Sequence, residues 1–330
     1  MASSAYFFLL FMYKIGVIGS GVIAKKVTKI LNNCGDFKIT AIFSRNENSA
    51  NKLAKKFDAK VFTNIDGFIK NKELYDLVYI ATPHASHFEY IKICLENKIP
   101  SLVEKPIVIN VKEINEVILM KEKYDTYVSE AMWTLHSDIF NSLKELVFNN
   151  NLGKLQEAEF DFSVYKPKIF KNDRIFDIKR GGGALLDIGI YLITIAYFLF
   201  KSPLSISIKT KFYRNVDLVD QITFNYSDFI INMNCSINKI KDVLKFKYDN
   251  GEIIVKNGHA PKKIILKDKV NHNIKIIKGK TTYQKEFYDA FIDLKNNKKE
   301  SSFISLNDNL EVIKLMDECR KLIGLKMIDD

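Results

Sequence analysis

The sequence predicts an α/β chain: a doubly wound parallel sheet, then an α+β half built on an open, mainly antiparallel sheet. Three observations predict it. Short apolar runs alternate with helical patterns from Lys14 to about Val128, which is how a parallel sheet with helices on both faces is written. A glycine turn, Gly19-Ser-Gly21-Val-Ile-Ala24, follows the first run. Later segments alternate with period two, the pattern of strands with one buried and one wet face.

The elements follow in order. Lys14–Gly19 is a strand and Val22–Leu31 a helix. Lys38–Phe43 is a strand, Ala50–Phe57 a helix and Val61–Phe62 a short strand. Tyr75–Ala81 is an apolar strand, followed by a helix through Leu95. Ser101–Val103 is a strand ending at Glu104-Lys105-Pro106. Val111–Lys123 is helical and Thr126–Val128 extended. The boundary between halves falls near Tyr127, dividing the chain into 12–127 and 128–330. Ser137–Asn149 is a helix. In Glu157–Val164, Ala158, Phe160, Phe162 and Val164 alternate with polar residues, and Ile231–Asn238 alternates in the same way. Further strands are expected at Ser205–Tyr213, Gln221–Tyr226, Val243–Tyr248, Glu252–Val255, Lys263–Leu266 and Ile274–Ile277. Two helices, Tyr283–Asn296 and Leu306–Ile323, close the chain, with Gly324 as a stop.

At 330 residues, with 47% apolar and 27% charged, the chain can bury a sizeable core. Its net charge is 50 − 39 = +11. Only five of the fifty cations are Arg, and the Lys residues are scattered. That is a solvated surface and not a nucleic-acid stripe, since Arg is the residue suited to bidentate reading. Cys34, Cys94, Cys235 and Cys319 form no CxxC pair. They read as packing thiols in a reduced, cytoplasmic protein. No His/Cys/carboxylate spacing suggests a metal. Ala5–Tyr13 is strongly apolar but too short to span a membrane. It lacks the basic start and small-residue cleavage site of a signal peptide. Because Met12 directly precedes the first strand, an extension ahead of the natural start is expected there.

The turn Gly19-Ser20-Gly21-Val22-Ile23-Ala24 lies between a strand and a helix, where a dinucleotide fingerprint belongs. Gly19 permits the tight turn, Gly21 leaves room for a pyrophosphate, and Ala24 lets the helix pack closely. Phosphates then sit at a helix N-terminus. The second strand ends Phe43-Ser44-Arg45. An NAD site has an acid there to bind the ribose hydroxyls, whereas a hydroxyl and a guanidinium suit a 2′-phosphate. NADP is therefore favoured, and NAD stays open.

Lys105 follows a strand C-terminus and should face the ligand crevice. Thr82-Pro83-His84 and His87 follow the preceding strand, toward the nicotinamide half, with capping or packing of the helix start equally open for the two histidines. Gly181-Gly-Gly-Ala-Leu-Leu-Asp187-Ile-Gly-Ile-Tyr191 sets Asp187 and Tyr191 on one helix face at i, i+4. Lys, Tyr and Asp can form a proton-transfer set, and an adjacent ammonium would lower the phenol's pKa.

The Gly19–Ala24 turn, Glu104-Lys105-Pro106 and GGGALLDIGIY resemble the glucose-fructose oxidoreductase/inositol dehydrogenase/rhizopine-catabolism (Gfo/Idh/MocA) family. The likeness runs from about Lys14 to the last helix and includes Glu130-Ala-Met-Trp133-Thr134. Most members have His at the place of Tyr191. Tyr there, with Glu-Ala-x-Trp upstream, is similar to the dihydrodiol dehydrogenase, xylose dehydrogenase and glucose-fructose oxidoreductase branch. The resemblance implies an N-terminal Rossmann domain and a large C-terminal sheet that pairs subunits into a homodimer or homotetramer. It implies a cis Lys105–Pro106 bond, Lys105 on the reacting oxygen, Tyr191 as acid/base and Asp187 orienting a substrate hydroxyl. Glu104 and Trp133 join the cofactor-side residues. The activity it implies is hydride transfer between a nicotinamide cofactor and a sugar, cyclic polyol or vicinal diol. A cofactor-binding regulator without turnover is the alternative, which the intact Lys105, Asp187 and Tyr191 argue against.

Leu135, His136, Ser137 and Asp138 depart from the branch pattern, and His84 replaces a common Asn. The substrate pocket is therefore expected to differ. Arg174 is a candidate substrate contact, with a surface or ion-paired role equally open. His136, His259 and His272 carry no motif and read as structural.

Overall fold

A computed structural model describes residues 12–167 and 174–326. The expected leading extension thus lies outside the described residues. The first half supplies β1 (Tyr13–Ile18), α1 (Val22–Asn32), β2 (Phe37–Phe43), α2 (Glu47–Ala54), β3 (Lys60–Phe62), α3 (Ile65–Lys70), β4 (Leu77–Ile80), α4 (His87–Glu96), β5 (Ser101–Glu104), α5 (Val111–Tyr124) and β6 (Val128–Ala131). These six strands form one parallel sheet in the order β3-β2-β1-β4-β5-β6. The order reverses between β1 and β4, and a ligand crevice opens beyond their C-terminal ends. Strands β4, β5 and β6 are buried throughout, as a sheet covered on both faces requires. The sheet's last strand, β6, lies beyond Tyr127.

The second half contains α6 (Asp138–Phe148), β7 (Leu155–Tyr165), α7 (Ile190–Phe200), β8 (Ser205–Tyr213), β9 (Val216–Asn225), β10 (Ile230–Ser236), β11 (Asn238–Tyr248), β12 (Gly251–Lys256), β13 (Lys263–Asp268), β14 (Ile274–Lys278), α8 (Tyr283–Lys295) and α9 (Leu306–Leu322). Its eight strands run β14-β13-β12-β11-β7-β10-β9-β8. All neighbours are antiparallel except β7 and β10, which are parallel. Ala158, Phe160, Ile231, Met233, Leu244 and Phe246 point from this sheet into the core. The opposite face is charged. The register sets Lys245 beside Glu159 and Lys247 beside Glu157, and the Lys247 ammonium lies 2.9 Å from the Glu157 carboxylate.

Helix α7 is apolar all round and buried nearly throughout. Such a helix needs cover on every side, and the sheet with α9 supplies part of it. The apolar stretch Ile178–Phe200 is therefore a core element, buried over most of its length. Its entry is not regular α-helix. Leu185–Gly189 forms a π-helical turn, so Asp187 and Tyr191 do not share simple α-helical phasing.

The last helices return to the first half. Phe287 and Phe291 of α8 pack on one face of the parallel sheet. Leu306 and Ile313 of α9 pack on the other. Phe287 is fully buried, with ring contacts to Phe37 at 6.1 Å and Tyr79 at 5.3 Å. Phe287→Ala should cost about 3–5 kcal/mol in a urea titration. A loss under about 1 kcal/mol would mean that α8 is not part of this core.

Candidate active site

The crevice begins at the turn between β1 and α1. Gly19 has φ +116°, and a Cβ there would press to 2.5 Å from the Ala81 carbonyl oxygen at the end of β4. Only glycine tolerates both demands. Gly21 faces open space, with nothing within 4 Å of a built Cβ. No side chain caps the N-terminus of α1, and its first turn holds no acid. Its free N–H groups thus remain available to an anion. Ser20 is 9% exposed, Ile23 half-buried and Val22 exposed, while Ala24 packs against the sheet. An open glycine face and an uncapped helix start fit a dinucleotide pyrophosphate.

Three hydroxyls meet at the end of β2. Ser20 Oγ donates to Ser44 Oγ at 2.9 Å and lies 2.5 Å from Ser49 Oγ. The Asn46 N–H donates to Ser44 Oγ, and Asn46 in turn caps α2 at the Ser49 N–H. Arg45 is exposed on this turn. The cluster suits a phosphate, and Ser49 is a member that the sequence motif did not mark.

Beyond β4, Thr82 Oγ1 is buried without a hydrogen-bond partner among the described residues, beside Pro83. His87 is fully buried. Its Nδ1 lies 2.9 Å from the Pro106 carbonyl and its Nε2 3.0 Å from that of Thr82. The neutral ring donates to one of these carbonyls and packs its other nitrogen against the second, so His87 braces the turns after β4 and β5 and does not present a nitrogen to a ligand. Burial drives its pKa down to about 4, despite those two carbonyls. His84 Nδ1 lies 2.9 Å from the Gly181 carbonyl, and Nε2 lies 3.5 Å from Asp187 Oδ1. Burial and the nearby Arg174 hold His84 neutral, well below the usual histidine range.

Lys105 follows β5, and its bond to Pro106 is cis. Its Nζ donates to the Asp187 carbonyl at 2.6 Å and lies 3.4 Å from Asp187 Oδ1. It also sits 4.8 Å from the centre of the Tyr191 ring. Arg174 Nη2 donates to Asp187 Oδ1 at 2.8 Å. Burial alone would raise the Asp187 carboxyl, but the charges of Lys105 and Arg174 outweigh it and hold the group well below the usual range. Lys105, Asp187, Tyr191 and Arg174, drawn from distant segments, thus form one cluster.

Tyr191 departs from the sequence expectation. It is 8% exposed, and burial pushes its pKa well above 10. Glu104, Tyr283 and Asp187 push the same way. The Trp133 indole N–H lies near enough to favour the phenolate, but makes no well-formed hydrogen bond. The resting phenol is therefore protonated, because desolvation outweighs the cation beside it. Glu104 is buried as well. Burial raises its pKa, while the Tyr79 hydroxyl donated to it and Lys105 act in opposition.

Trp133 stacks on Tyr283 at 4.1 Å. Lys26 Nζ donates to Tyr283 Oη at 3.2 Å and lies 4.9 Å from its ring centre. His259, read from sequence as structural, stacks on Phe162 at 4.1 Å and meets the Tyr191 ring edge at 5.6 Å. Its Nδ1 is 2.5 Å from Asp242. Tyr283, Lys26 and His259 belong to no motif, and only the fold brings them to the site. His136 pairs with Asp289 at 2.8 Å in the interior.

An uncapped helix start after a glycine turn, together with a buried Lys–Asp–Tyr cluster, is the arrangement that a nicotinamide-dependent oxidoreductase requires. Residues 13–132 match the oxidoreductase family with an NAD-binding Rossmann fold, and residues 140–242 match the GFO/IDH/MocA C-terminal domain. The chain belongs to the Gfo/Idh/MocA oxidoreductase family. It is 27% identical to the scyllo-inositol 2-dehydrogenase (NADP(+)) of Bacillus subtilis, over 95% of this chain and 98% of that one. It is 23% identical to the trans-1,2-dihydrobenzene-1,2-diol dehydrogenase of Mus musculus, over 96% and 98%. A 3-ketoreductase from Actinomadura kijaniata, solved with NADP and TDP-benzene, superposes with a TM-score of 0.84 at 18% identity, covering 94% of this chain and 97% of that one.

The histidines give a pH test. His87 should remain neutral in the folded state until pH nears 4, whereas an unfolded histidine takes its proton near 6.5. Its contribution to stability is intact above pH 6.5. It should fall by up to about 1.4 kcal/mol per pH unit as pH drops toward 4, since only the unfolded state binds the proton. An NMR titration of the His87 ring with a midpoint near 6.5 would refute this.

Proposed function

We propose that the chain transfers a hydride between NADP and the CH–OH carbon of a sugar, cyclic polyol or vicinal diol. The observation that carries this reading is the Lys105–Asp187–Tyr191 cluster beside the uncapped N-terminus of α1. The named relatives, which act on an inositol and a dihydrodiol, support the substrate class. Gly19, Ser20, Gly21, Val22 and Ile23 would line the pyrophosphate. Ser44 and Arg45, with Ser49, would hold a 2′-phosphate. Thr82, Pro83, His84, Glu104 and Trp133 would shape the nicotinamide end, with His87 bracing the turns behind them.

When bound, the nicotinamide supplies the hydride or accepts it. The protein's part is to place the substrate oxygen and move one proton. Lys105 Nζ, now resting on the Asp187 carbonyl, would turn to the reacting oxygen. Asp187, kept ionised, would accept a hydrogen bond from a neighbouring substrate hydroxyl. Tyr191 holds its proton at rest and so is ready to donate it to an oxygen that receives a hydride at carbon. In the reverse direction Tyr191 must first lose its proton, which Lys105 would favour by stabilising the phenolate. Arg174 would keep Asp187 charged and set its angle.

The free, largely buried cysteines support a reducing, cytoplasmic setting. The open outer face of the eight-stranded sheet is where a homodimer or homotetramer contact would form. Neither nucleic acid nor membrane is part of this reading.

The first test follows nicotinamide absorbance with NADP and then NAD, against aldoses, inositols, cyclic diols and their carbonyl counterparts. Turnover should be faster with NADP. Silence across the panel with tight cofactor binding would shift the reading to a regulator. Arg45→Ala should raise the KM for NADP about tenfold, the loss of one charge-assisted contact, and leave NAD nearly unchanged. Tyr191→Phe should lower kcat by about 10²–10⁴ with cofactor affinity kept. Unchanged turnover would remove Tyr191 from the proton path.

A further inference from the structure

Two carboxyls outside the described cluster lie under the start of the helix that carries it. Asp217 and Asp220, both on β9, are 1% and 0% exposed. Asp217 Oδ2 accepts the Leu185 N–H at 2.5 Å, and its carboxyl also receives the N–H of Ala184. These are the first amides of the π-helical turn that holds Asp187. The third glycine of the GGG run is explained by the same carboxyl: Gly183 has φ +112°, and a Cβ there would collide with Asp217 Oδ1.

That Oδ1 atom is buried and finds no donor among ordinary N–H and O–H groups. The group beside it is the Asp220 carboxyl, which can donate only if it carries a proton. Burial raises both carboxyls, while the hydrogen bond between them lowers Asp217 and raises Asp220, which leaves one proton for the two and favours it on Asp220. Asp220 is otherwise satisfied. Thr210 of β8 donates to its Oδ1 at 2.7 Å, and the Cys235 thiol of β10 lies 3.6 Å from its Oδ2. Cys319 of α9 also faces the pair. Burial pushes both thiols up, so neither brings a charge at neutral pH.

We propose that Asp217 and Asp220, sharing one proton, form a positioning pair that anchors the π-helical turn and so aims Asp187 and Tyr191 into the crevice. The charged Asp217 holds two amides at a helix start, where a negative charge is favoured. The neutral Asp220 lets that charge stay buried by donating to it. A second ionisation would set two like charges side by side in the core. Burial and the Asp217 charge push Asp220 up to about 9, so the anchor should hold at neutral pH and fail as pH rises through that value.

The test is amide exchange of the segment Gly183–Gly189 in the full chain, followed against pH and corrected for intrinsic rates. Wild type should lose protection as pH passes about 9. Asp220→Asn still donates to Asp217 but cannot ionise, so it should keep protection through that range. Its infrared spectrum should also lack one protonated-carboxyl band present in wild type at neutral pH. Asp217→Ala should speed exchange of this segment at least about tenfold, the effect of losing one buried acceptor, and Asp217→Asn should restore part of it. An alkaline loss in Asp220→Asn equal to wild type, or an unchanged infrared band, would overturn the shared proton. Slow exchange in Asp217→Ala would overturn the anchor. The proposal rests on Asp187 and Tyr191 being the reacting residues. Exchange is read without substrate, so a failed activity panel and a failed anchor are told apart.

Discussion

The contact between Lys105 and Asp187 joins the two halves of the molecule. Lys105 stands where β5 leaves the parallel sheet, and Asp187 stands in the π-helical turn behind α7. Neither charge is well hydrated, with side chains 12% and 20% exposed. An isolated charge so placed would be costly, and a partner with further hydrogen bonds is what makes it tolerable. Arg174 and His84 close around the same carboxylate. Asp187 lies within the π-turn, and its carbonyl accepts the Lys105 ammonium. Such turns occur often at functional sites.

The second organising constraint is desolvation. Tyr191 lies under Phe162, His259 and Trp133, and the aromatic cover that shapes the pocket also keeps the phenol protonated. A cation nearby does not reverse this, since burial acts on the whole charge while the ammonium is shared with Asp187. The resting state therefore holds its proton on Tyr191 and its negative charge on Asp187. Two acidic groups in one site are set apart by environment, which is how a single pocket can offer both an acid and a charged acceptor.

Much of the architecture was legible because its periodicity is local. The alternation of strand and helix, the GSGVIA turn and the period-two strands each need only their own segment to be read. Helix α3 at Ile65–Lys70 is too short to show a helical period. The parallel pairing of β7 with β10 was equally invisible, since period two looks the same in either direction.

The sequence by itself determined which chemical groups are present and which loops carry them: the uncapped helix start, Ser44-Arg45, Lys105 and the Asp187–Tyr191 segment. Tertiary structure decided what those groups do at rest. It placed Arg174 on Asp187, drew His259 and Tyr283 to the pocket wall, turned His87 into a brace and kept Tyr191 protonated. Each depends on burial and on partners from distant segments. Desolvation and charge pairing are properties of the assembled space, and the residue order does not carry them.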